Sequence, residues 1–345
     1  EAVASGLSWA MGGRIRSARP RPSAAMRGPG FNRSRQPPSC KLMTPPQTPE
    51  SSASGPPVIF DAARRRARLD RARLADADFL HRRAAENAVD SLEVILREFP
   101  VVVDLSALPG AFADVLAHSA APERIGPVTI AGPNISEWRS APGAAPLGLP
   151  DGEADLIVSL MSLHWANDLP GALTQIRRAL KPDGLFVGTL LGAGTLKELR
   201  AVLTEAELEL RGGAQARVSP FADGFDGAGL LQRAGFALPV ADVDRVTVRY
   251  RDLFALIRDL RAMGETNGLA GPIRPLTRAV IARAAALYAE RYAEPDGRIP
   301  ATFEIIHLAG WAPSETQQKP LPRGSAKVRL ADALGVKEFG RDGLK

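Results

Sequence analysis

The chain has 345 residues, of which 45% are apolar, 24% charged and 6% aromatic. This composition is ordinary for a globular protein and excludes collagen-like, disulfide-scaffold and wholly disordered chains. The formal net charge is +6, but residues 1–57 alone carry eight basic and two acidic side chains. The rest of the chain is therefore neutral overall and gives no electrostatic argument for binding nucleic acid.

Residues 1–57 are rich in Ser, Pro, Arg and Gly, which predicts a disordered basic tail. An arginine-rich, nearly acid-free segment is typical of a mitochondrial transit peptide, which would place the protein in the matrix. We favour instead an extension of the coding region upstream of Met43, with a cytoplasmic location if the protein is bacterial, and keep the transit peptide as the alternative. Cys40, the only cysteine, lies in this segment, so cysteine chemistry is excluded from the rest. The longest uncharged run, 184–196, is too short to span a membrane.

Residues 61–99 contain no Gly or Pro and predict one or two leading helices. Six arginines between Arg64 and Arg73 are expected to form a solvated helix face; the alternative is a phosphate- or partner-binding face that would favour RNA methylation. Apolar runs then alternate with amphipathic segments, which predicts a doubly wound, mostly parallel α/β sheet of seven strands in a domain over 58–312, followed by a C-terminal tail. Six of the seven predicted strands are placed on the sequence, at 101–105, 128–131, 154–161, 185–191, 243–250 and 302–311. The predicted helices are 111–117, 168–180, 195–210, 227–234, 251–263 and 276–292, the last two inserted before the final strand.

Ligands of open parallel sheets bind beyond the carboxyl ends of the strands. His164 and Trp165 follow a predicted strand and are candidates for a substrate contact or cofactor wall, because an indole stacks on a guanidinium. The alternative is that Trp165 packs under the next helix while His164 caps the turn. Residues 192–195 could present amides to an anion, although an N-cap by Thr195 is the commoner arrangement. The other histidines are scattered, so we predict no metal site.

Residues 149–190, LPDGEADLIVSLMSLHWANDLPGALTQIRRALKPDGLFVGTL, resemble the second half of the class I S-adenosylmethionine (SAM) dependent methyltransferases. An ordered succession of blocks continues to residue 326 and resembles the respiratory complex I assembly-factor methyltransferase-like family. Its mitochondrial member is regarded as an arginine hydroxylase, and its bacterial relatives are described as BioC-like methyltransferases. The blocks include Ser219–Phe221, Arg233–Phe236, Met263–Asn267, Pro300–Glu304 and Arg323–Ala326.

The resemblance implies a SAM-dependent enzyme that modifies a protein side chain, with a subunit of complex I as the candidate partner. On the matching positions it implies cofactor contacts from Asp104, Leu105, Gly110, Asn134, Asp155 and Ser159. It also implies that Ser159, His164 and Trp165 face the substrate and are the candidates for catalysis.

The loop over residues 104–110 reads DLSALPG, whereas the family pattern is D-x-G-x-G-x-G. Asp104 and Gly110 are retained, but two glycines are replaced and Pro109 has no amide to donate. Asn134 stands where the family has a carboxylate for the ribose hydroxyls. These departures motivate an alternative function, a non-catalytic assembly chaperone with a degenerate SAM pocket, in which Leu108 or Pro109 would plug the pocket.

Overall fold

The computed structural model describes residues 58–72, 76–120, 122–131, 151–221 and 226–318, with short pieces at 325, 328 and 330–335. The predictions made for residues 1–57 and for Asn134 lie outside the described residues. The limits predicted for the domain and for the C-terminal tail stay predictions.

In the described part of the chain, six strands form one sheet in the order β2-β1-β3-β4-β6-β5. The first four strands are parallel, and β6 runs antiparallel between β4 and β5. The doubly wound, mostly parallel α/β class is therefore confirmed, with six strands here where the sequence predicts seven. The strands are β1 (Val102–Asp104), β2 (Val128–Ile130), β3 (Ala154–Leu160), β4 (Leu180–Leu191), β5 (Ala237–Tyr250) and β6 (Ile299–Trp311).

Helices cover both faces of the sheet. Two of them precede β1, and two lie between β5 and β6, so the leading helices and the helical insertion are both confirmed. Within the described residues the helices are α1 (Ala62–Leu69), α2 (Phe79–Glu93), α3 (Ala111–Leu116), α4 (Leu169–Ala179), α5 (Lys197–Arg211), α6 (Gly227–Arg233), α7 (Leu253–Ala262), α8 (Arg278–Tyr292) and α9 (Leu330–Leu334). No helix in this part of the chain is long and apolar enough to cross a membrane.

The ends of several elements follow from local chemistry. Asp168 caps α4 by accepting a hydrogen bond from the Gly171 amide at 2.8 Å, as the sequence predicts. β4 begins at Leu180, five residues before the predicted start, because this residue already pairs with Ala154 of β3. β5 begins six residues early, since an edge strand tolerates Pro239 where its pairing with β6 is irregular.

Side chains of β3 alternate between the two faces of the sheet. Leu156, Val158 and Leu160 pack into a core with α2, α5, α7 and α8, whereas Ile157 packs into a second core with α4 and α6. All seven residues of this strand are buried, as expected for a parallel strand covered on both faces. Because β1, β3 and β4 are parallel, their carboxyl ends meet at one edge of the sheet.

Candidate functional site

Asp104 ends β1 and is fully buried. Its Oδ1 atom accepts a hydrogen bond from the Ser106 amide at 2.8 Å. Its Oδ2 atom is buried and has no hydrogen-bond partner among the described residues. Burial raises the pKa of the Asp104 carboxyl group, and the hydrogen bonds from Ser106 oppose that rise. A buried oxygen left without a donor is costly, so this atom is suited to receive a donor from a ligand.

The backbone just after β1 is already committed to hydrogen bonds within the protein. The Leu105 amide donates to the Val158 carbonyl at 2.7 Å, and the Ala107 amide donates to the Leu160 carbonyl at 2.8 Å. The Ser106 hydroxyl accepts from the Leu160 amide at 3.0 Å. Together with the Ser106 amide described above, three successive amides are therefore unavailable to a ligand in this conformation.

The end of the same loop turns sharply into α3. Gly110 has φ of +87°, a left-handed conformation that disfavours a side chain. Pro109 is exposed and Leu108 is half-buried. Pro109 therefore does not fill the interior of the protein, contrary to what the chaperone alternative expects of it.

Ser159 is joined to this loop, but Asp155 is not. The Ser159 hydroxyl lies 2.8 Å from that of Ser162, which donates to the Leu105 carbonyl at 2.9 Å. Asp155 instead lies near the amino end of β3, where its carboxylate accepts from the Val101 amide at 3.0 Å and from Lys181 at 2.8 Å. Five residues of extended strand, roughly 16 Å, separate it from Leu160. The structure therefore brings Asp104, Leu105 and Ser159 together and leaves Asp155 at the opposite edge.

His164 and Trp165 lie in a short 3-10 turn that follows β3 and are both buried. The Trp165 indole donates to the Glu265 carboxylate at 3.1 Å. The Leu191 amide lies 3.5 Å from His164 Nδ1, and His164 Nε2 lies 3.0 Å from Glu265 Oε2. This arrangement favours the tautomer with the proton on Nε2, donated to the carboxylate. Both side chains therefore contact Glu265, which follows α7, and the hydrogen bonds of His164 do not cap the turn.

Arg65, from α1, completes this buried cluster. Its guanidinium forms an ion pair with Glu265 at 2.9 Å, donates to the Gly264 carbonyl at 2.6 Å and lies 4.1 Å from the centre of the Trp165 ring. Burial alone would raise the pKa of Glu265, but the charge of Arg65 and the hydrogen bonds from His164 and Trp165 lower it to about 2. Glu265 is therefore ionised at neutral pH although it is buried.

His81, from α2, is buried close to the same cluster. Both of its ring nitrogens lack a hydrogen-bond partner among the described residues. Burial lowers the pKa of His81 to about 4, with smaller effects from the charges of Glu265, His164 and Arg65. The imidazole is therefore neutral at physiological pH, with two polar atoms available to an entering group. No set of three or more His, Cys, Asp or Glu side chains within the described ranges could hold a metal ion.

Sequence reasoning missed three members of this cluster. The prediction of a solvated arginine face is wrong for Arg65, which is buried. Its position in a run of six arginines carries no signal of which one points inward. His81 is overlooked because it lies far along the chain from the other histidines. Glu265 is contained in the block Met263–Asn267, so the family resemblance was the signal that could have found it.

Glu304 occupies the region in front of the glycines that precede α5. The Gly194 amide donates to the Glu304 carboxylate at 3.3 Å, so an internal carboxylate accepts the hydrogen bond that a bound anion would receive. Thr195 bonds the Glu304 backbone and is not the N-cap; that position belongs to Leu196, at φ of 52°. The predicted N-cap at Thr195 is therefore wrong.

The fold and this site define a class of protein. Residues 104–188, from the end of β1 into β4, match a family model described as "Methyltransferase domain". These residues include the carboxyl end of β1 at Asp104, the whole of β3 and the His164–Trp165 pair that follows it. The chain therefore has the class I SAM-dependent methyltransferase fold, which confirms the resemblance drawn from residues 149–190.

Three relatives narrow the class to a family. "Arginine-hydroxylase NDUFAF5, mitochondrial" of Danio rerio is 37% identical over 296 residues, 82% of this chain and 92% of the relative. The Homo sapiens protein of the same name is 38% identical over 280 residues, 78% and 80% of the two chains. A malonyl-[acyl-carrier protein] O-methyltransferase of Halorhodospira halophila is 37% identical over 198 residues, 56% and 63% of the two chains. The chain belongs to the NDUFAF5 arginine-hydroxylase family.

The described residues fit the amino-acid end of SAM, the methyl donor of this class. SAM carries an ammonium group, and the unpaired Oδ2 atom of Asp104 is an acceptor suited to it, because a charged donor forms the stronger kind of hydrogen bond. The left-handed Gly110 keeps the turn beside it free of a side chain. Asn134, the residue predicted to meet the ribose, lies outside the described residues.

Proposed function

We propose that this chain is an enzyme of the SAM-dependent methyltransferase superfamily that modifies an arginine side chain of a protein partner during respiratory complex I assembly. The observation that carries the proposal is the pairing of two features at one sheet edge. The end of β1 holds the unpaired oxygen of Asp104, and the turn after the neighbouring β3 contributes to the buried, ionised Glu265 cluster. The names of the relatives support arginine as the substrate residue and the mitochondrion as the compartment; in a bacterium the compartment would be the cytoplasm.

Each part of the site has a role in this proposal. SAM, when bound, supplies an electrophilic methyl group. Asp104 holds its ammonium group, and Ser159 with Ser162 braces the loop behind it. Glu265 and Trp165 bind and orient the guanidinium of the substrate, while the burial of the cluster excludes water. Positioning of this kind supplies a large share of the rate of group transfer.

A non-catalytic assembly chaperone remains a second candidate function. It is favoured by one observation: three successive amides after Asp104 are consumed by hydrogen bonds within the protein. In that function the methyltransferase fold serves as a scaffold, and the partner subunit leaves the complex chemically unchanged.

Calorimetric titration of the full chain with SAM separates the two functions. We expect the wild type to bind, and Asp104→Asn to bind about tenfold or more weakly, since a charge-assisted hydrogen bond contributes about 1.5–3 kcal/mol. Asp151→Asn is the matched control, because that side chain is 63% exposed and pairs with Arg178; its affinity for SAM should equal that of the wild type. Absence of heat and of a thermal shift at ~1 mM SAM would leave only the chaperone.

The reaction itself is read from the intact mass of the candidate complex I subunit. The subunit is purified from wild-type cells and from cells that lack this chain. A gain equal to a methyl group or to an oxygen atom in the wild type supports an enzyme and identifies the chemistry. Equal masses from the two sources support the chaperone.

A further inference from the structure

α1 is attached to the protein in an unusual way. Of its eight residues, all of them described, only Arg65 is buried. Helices this short are unstable by themselves, so contacts with the rest of the protein must hold α1 in place. The directional contacts are polar: the Arg65 guanidinium enters the Glu265 cluster, and the Arg64 guanidinium donates to the carbonyls of Leu269 and Gly271. The half-buried Leu69 side chain adds an apolar contact near Gly264.

The groups around Arg65 are those that recognise a guanidinium specifically. Glu265 supplies a carboxylate, Gly264 a carbonyl and Trp165 the face of an indole. A planar cation with several donors satisfies all three at once, which a lysine ammonium cannot do. We call Glu265, Gly264 and Trp165 the guanidinium cradle.

Groups outside α1 also position the members of the cradle. His164 and Trp165 fix the Glu265 carboxylate through hydrogen bonds of 3.0 and 3.1 Å, and they belong to the turn after β3. His81, on α2, is buried with both ring nitrogens unpartnered in the described part of the chain, and the charges of Glu265 and Arg65 act on its pKa. The groups that surround the Arg65 guanidinium are therefore positioned in part by contacts outside α1.

We propose that the guanidinium cradle is the binding site for an arginine side chain of the protein partner, and that Arg65 occupies it until the partner arrives. The proposal deepens the proposed function and rests on it for the class of substrate. Binding of the partner arginine displaces Arg65 and releases α1. The chain just before α1 stays attached, because the Asn167 side chain bonds the Ile59 and Phe60 backbone at 2.7–3.0 Å and the Phe60 ring contacts Trp165.

This exchange replaces one guanidinium by another. Glu265 keeps a counter-charge throughout, so the large cost of leaving a buried carboxylate unpaired does not arise. What is lost is the order of a short helix with a single buried side chain, together with the hydrogen bonds from Arg64 to the Leu269 and Gly271 carbonyls. A partner lysine would leave the Trp165 face and part of the carboxylate unsatisfied, which makes the exchange selective for arginine.

Hydrogen exchange of the wild-type full chain tests the displacement. The probes are N-acetyl-arginine amide and N-acetyl-lysine amide at equal concentration and ionic strength. We expect the arginine probe to speed amide exchange in residues 62–69, with α4 unchanged, and the lysine probe to have no effect. Equal effects of the two probes, or slower exchange of α1 with arginine, would overturn the proposal.

A second experiment measures affinity for the same arginine probe. Arg65→Ala empties the cradle, so we expect at least about tenfold tighter binding than in the wild type, whereas Arg71→Ala, an exposed position just after the same helix, leaves the affinity unchanged. If Arg65→Ala does not fold, Arg65→Lys is titrated instead, with a smaller gain expected. Unchanged affinity in the Arg65 variant contradicts the proposal.

Neither experiment requires SAM or turnover. Failure to bind SAM removes the enzymatic function and leaves the displacement result intact. Conversely, a modified partner subunit combined with an α1 that stays protected in the presence of arginine contradicts this inference alone.

Discussion

Replacing Glu265 by glutamine removes the negative charge from the buried cluster and keeps the shape of the side chain. In the wild type this carboxylate pairs with Arg65 and accepts hydrogen bonds from His164 and Trp165. In Glu265→Gln the Arg65 guanidinium stays buried without its counter-charge. Removing one partner of a buried ion pair costs about 3–5 kcal/mol, so we expect a loss of that size in the free energy of unfolding at neutral pH.

The same substitution should change how stability depends on pH. The pKa of Glu265 is lowered from 4.5 to about 2 in the folded protein, since Arg65, His164 and Trp165 outweigh the effect of burial, which alone would raise it. A carboxyl group with a lowered folded pKa contributes stability that is present above the unfolded pKa and is lost as the pH falls through the folded value. This contribution is about 3 kcal/mol in full, of which about 2 kcal/mol disappears between about pH 7 and about pH 3. Because glutamine does not titrate, the gap in stability between wild type and variant should narrow by that amount.

Urea unfolding followed by far-ultraviolet circular dichroism measures the gap at each pH. Both proteins retain the other titrating groups, so effects common to the two cancel in the difference. Glu153→Gln, at an exposed position, serves as the control and should stay within about 0.5 kcal/mol of the wild type throughout. A gap that is constant with pH, or that widens as the pH falls, would refute the assignment of Glu265 as a buried, ionised partner of Arg65.

Two further substitutions test neighbouring parts of the site. His81→Leu removes two buried, unpartnered ring nitrogens and should be neutral or stabilising by about 1–3 kcal/mol at neutral pH. The difference in free energy of unfolding between His81→Leu and the wild type should grow as the pH falls from 6.5 through about 4, because the unfolded wild type takes up a proton that the folded state excludes. Urea unfolding at two pH values measures this difference. A difference that shrinks as the pH falls contradicts the prediction. Gly110→Ala forces a side chain into φ of +87° and should cost about 1–2 kcal/mol, whereas Gly213→Ala, where neither positive φ nor a close neighbour opposes a Cβ, should cost under about 0.5 kcal/mol. Thermal unfolding compares this pair, and equal losses would count against the strained turn.

The sequence predicts well those parts of the fold that depend on patterns of residues close together in the chain. α4 shows a helical stripe of apolar residues with a capping aspartate in front, and β3 is a continuous apolar run. The early starts of β4 and β5 were not predictable in this way, because they depend on pairing with other strands. A local pattern carries no information about a partner strand that lies far along the chain.

The same distinction between local patterns and contacts over long chain separations applies to the residues of the candidate site. His164 and Trp165 are predictable as a pair near the sheet edge, because they follow a buried strand directly. Their partners Arg65 and Glu265 are separated from each other by 200 positions in the chain. Arg65 is one of six arginines in a short run, and Glu265 lies in a turn after a helix. Their roles are therefore identified only by how they pack in the folded protein.

The two halves of the site differ in how complete they are without a ligand. Asp104 has a buried oxygen that lacks a donor in the described part of the chain, whereas Glu265 has its donors supplied by Arg65, His164 and Trp165. On the proposed assignment a methyl donor can enter by adding a hydrogen bond where one is missing. A substrate arginine must instead displace a side chain that is already well paired. The free-energy cost of displacing Arg65 therefore falls on the binding of the substrate arginine. In this assignment α1 controls access of the partner protein and leaves the cofactor half of the site open.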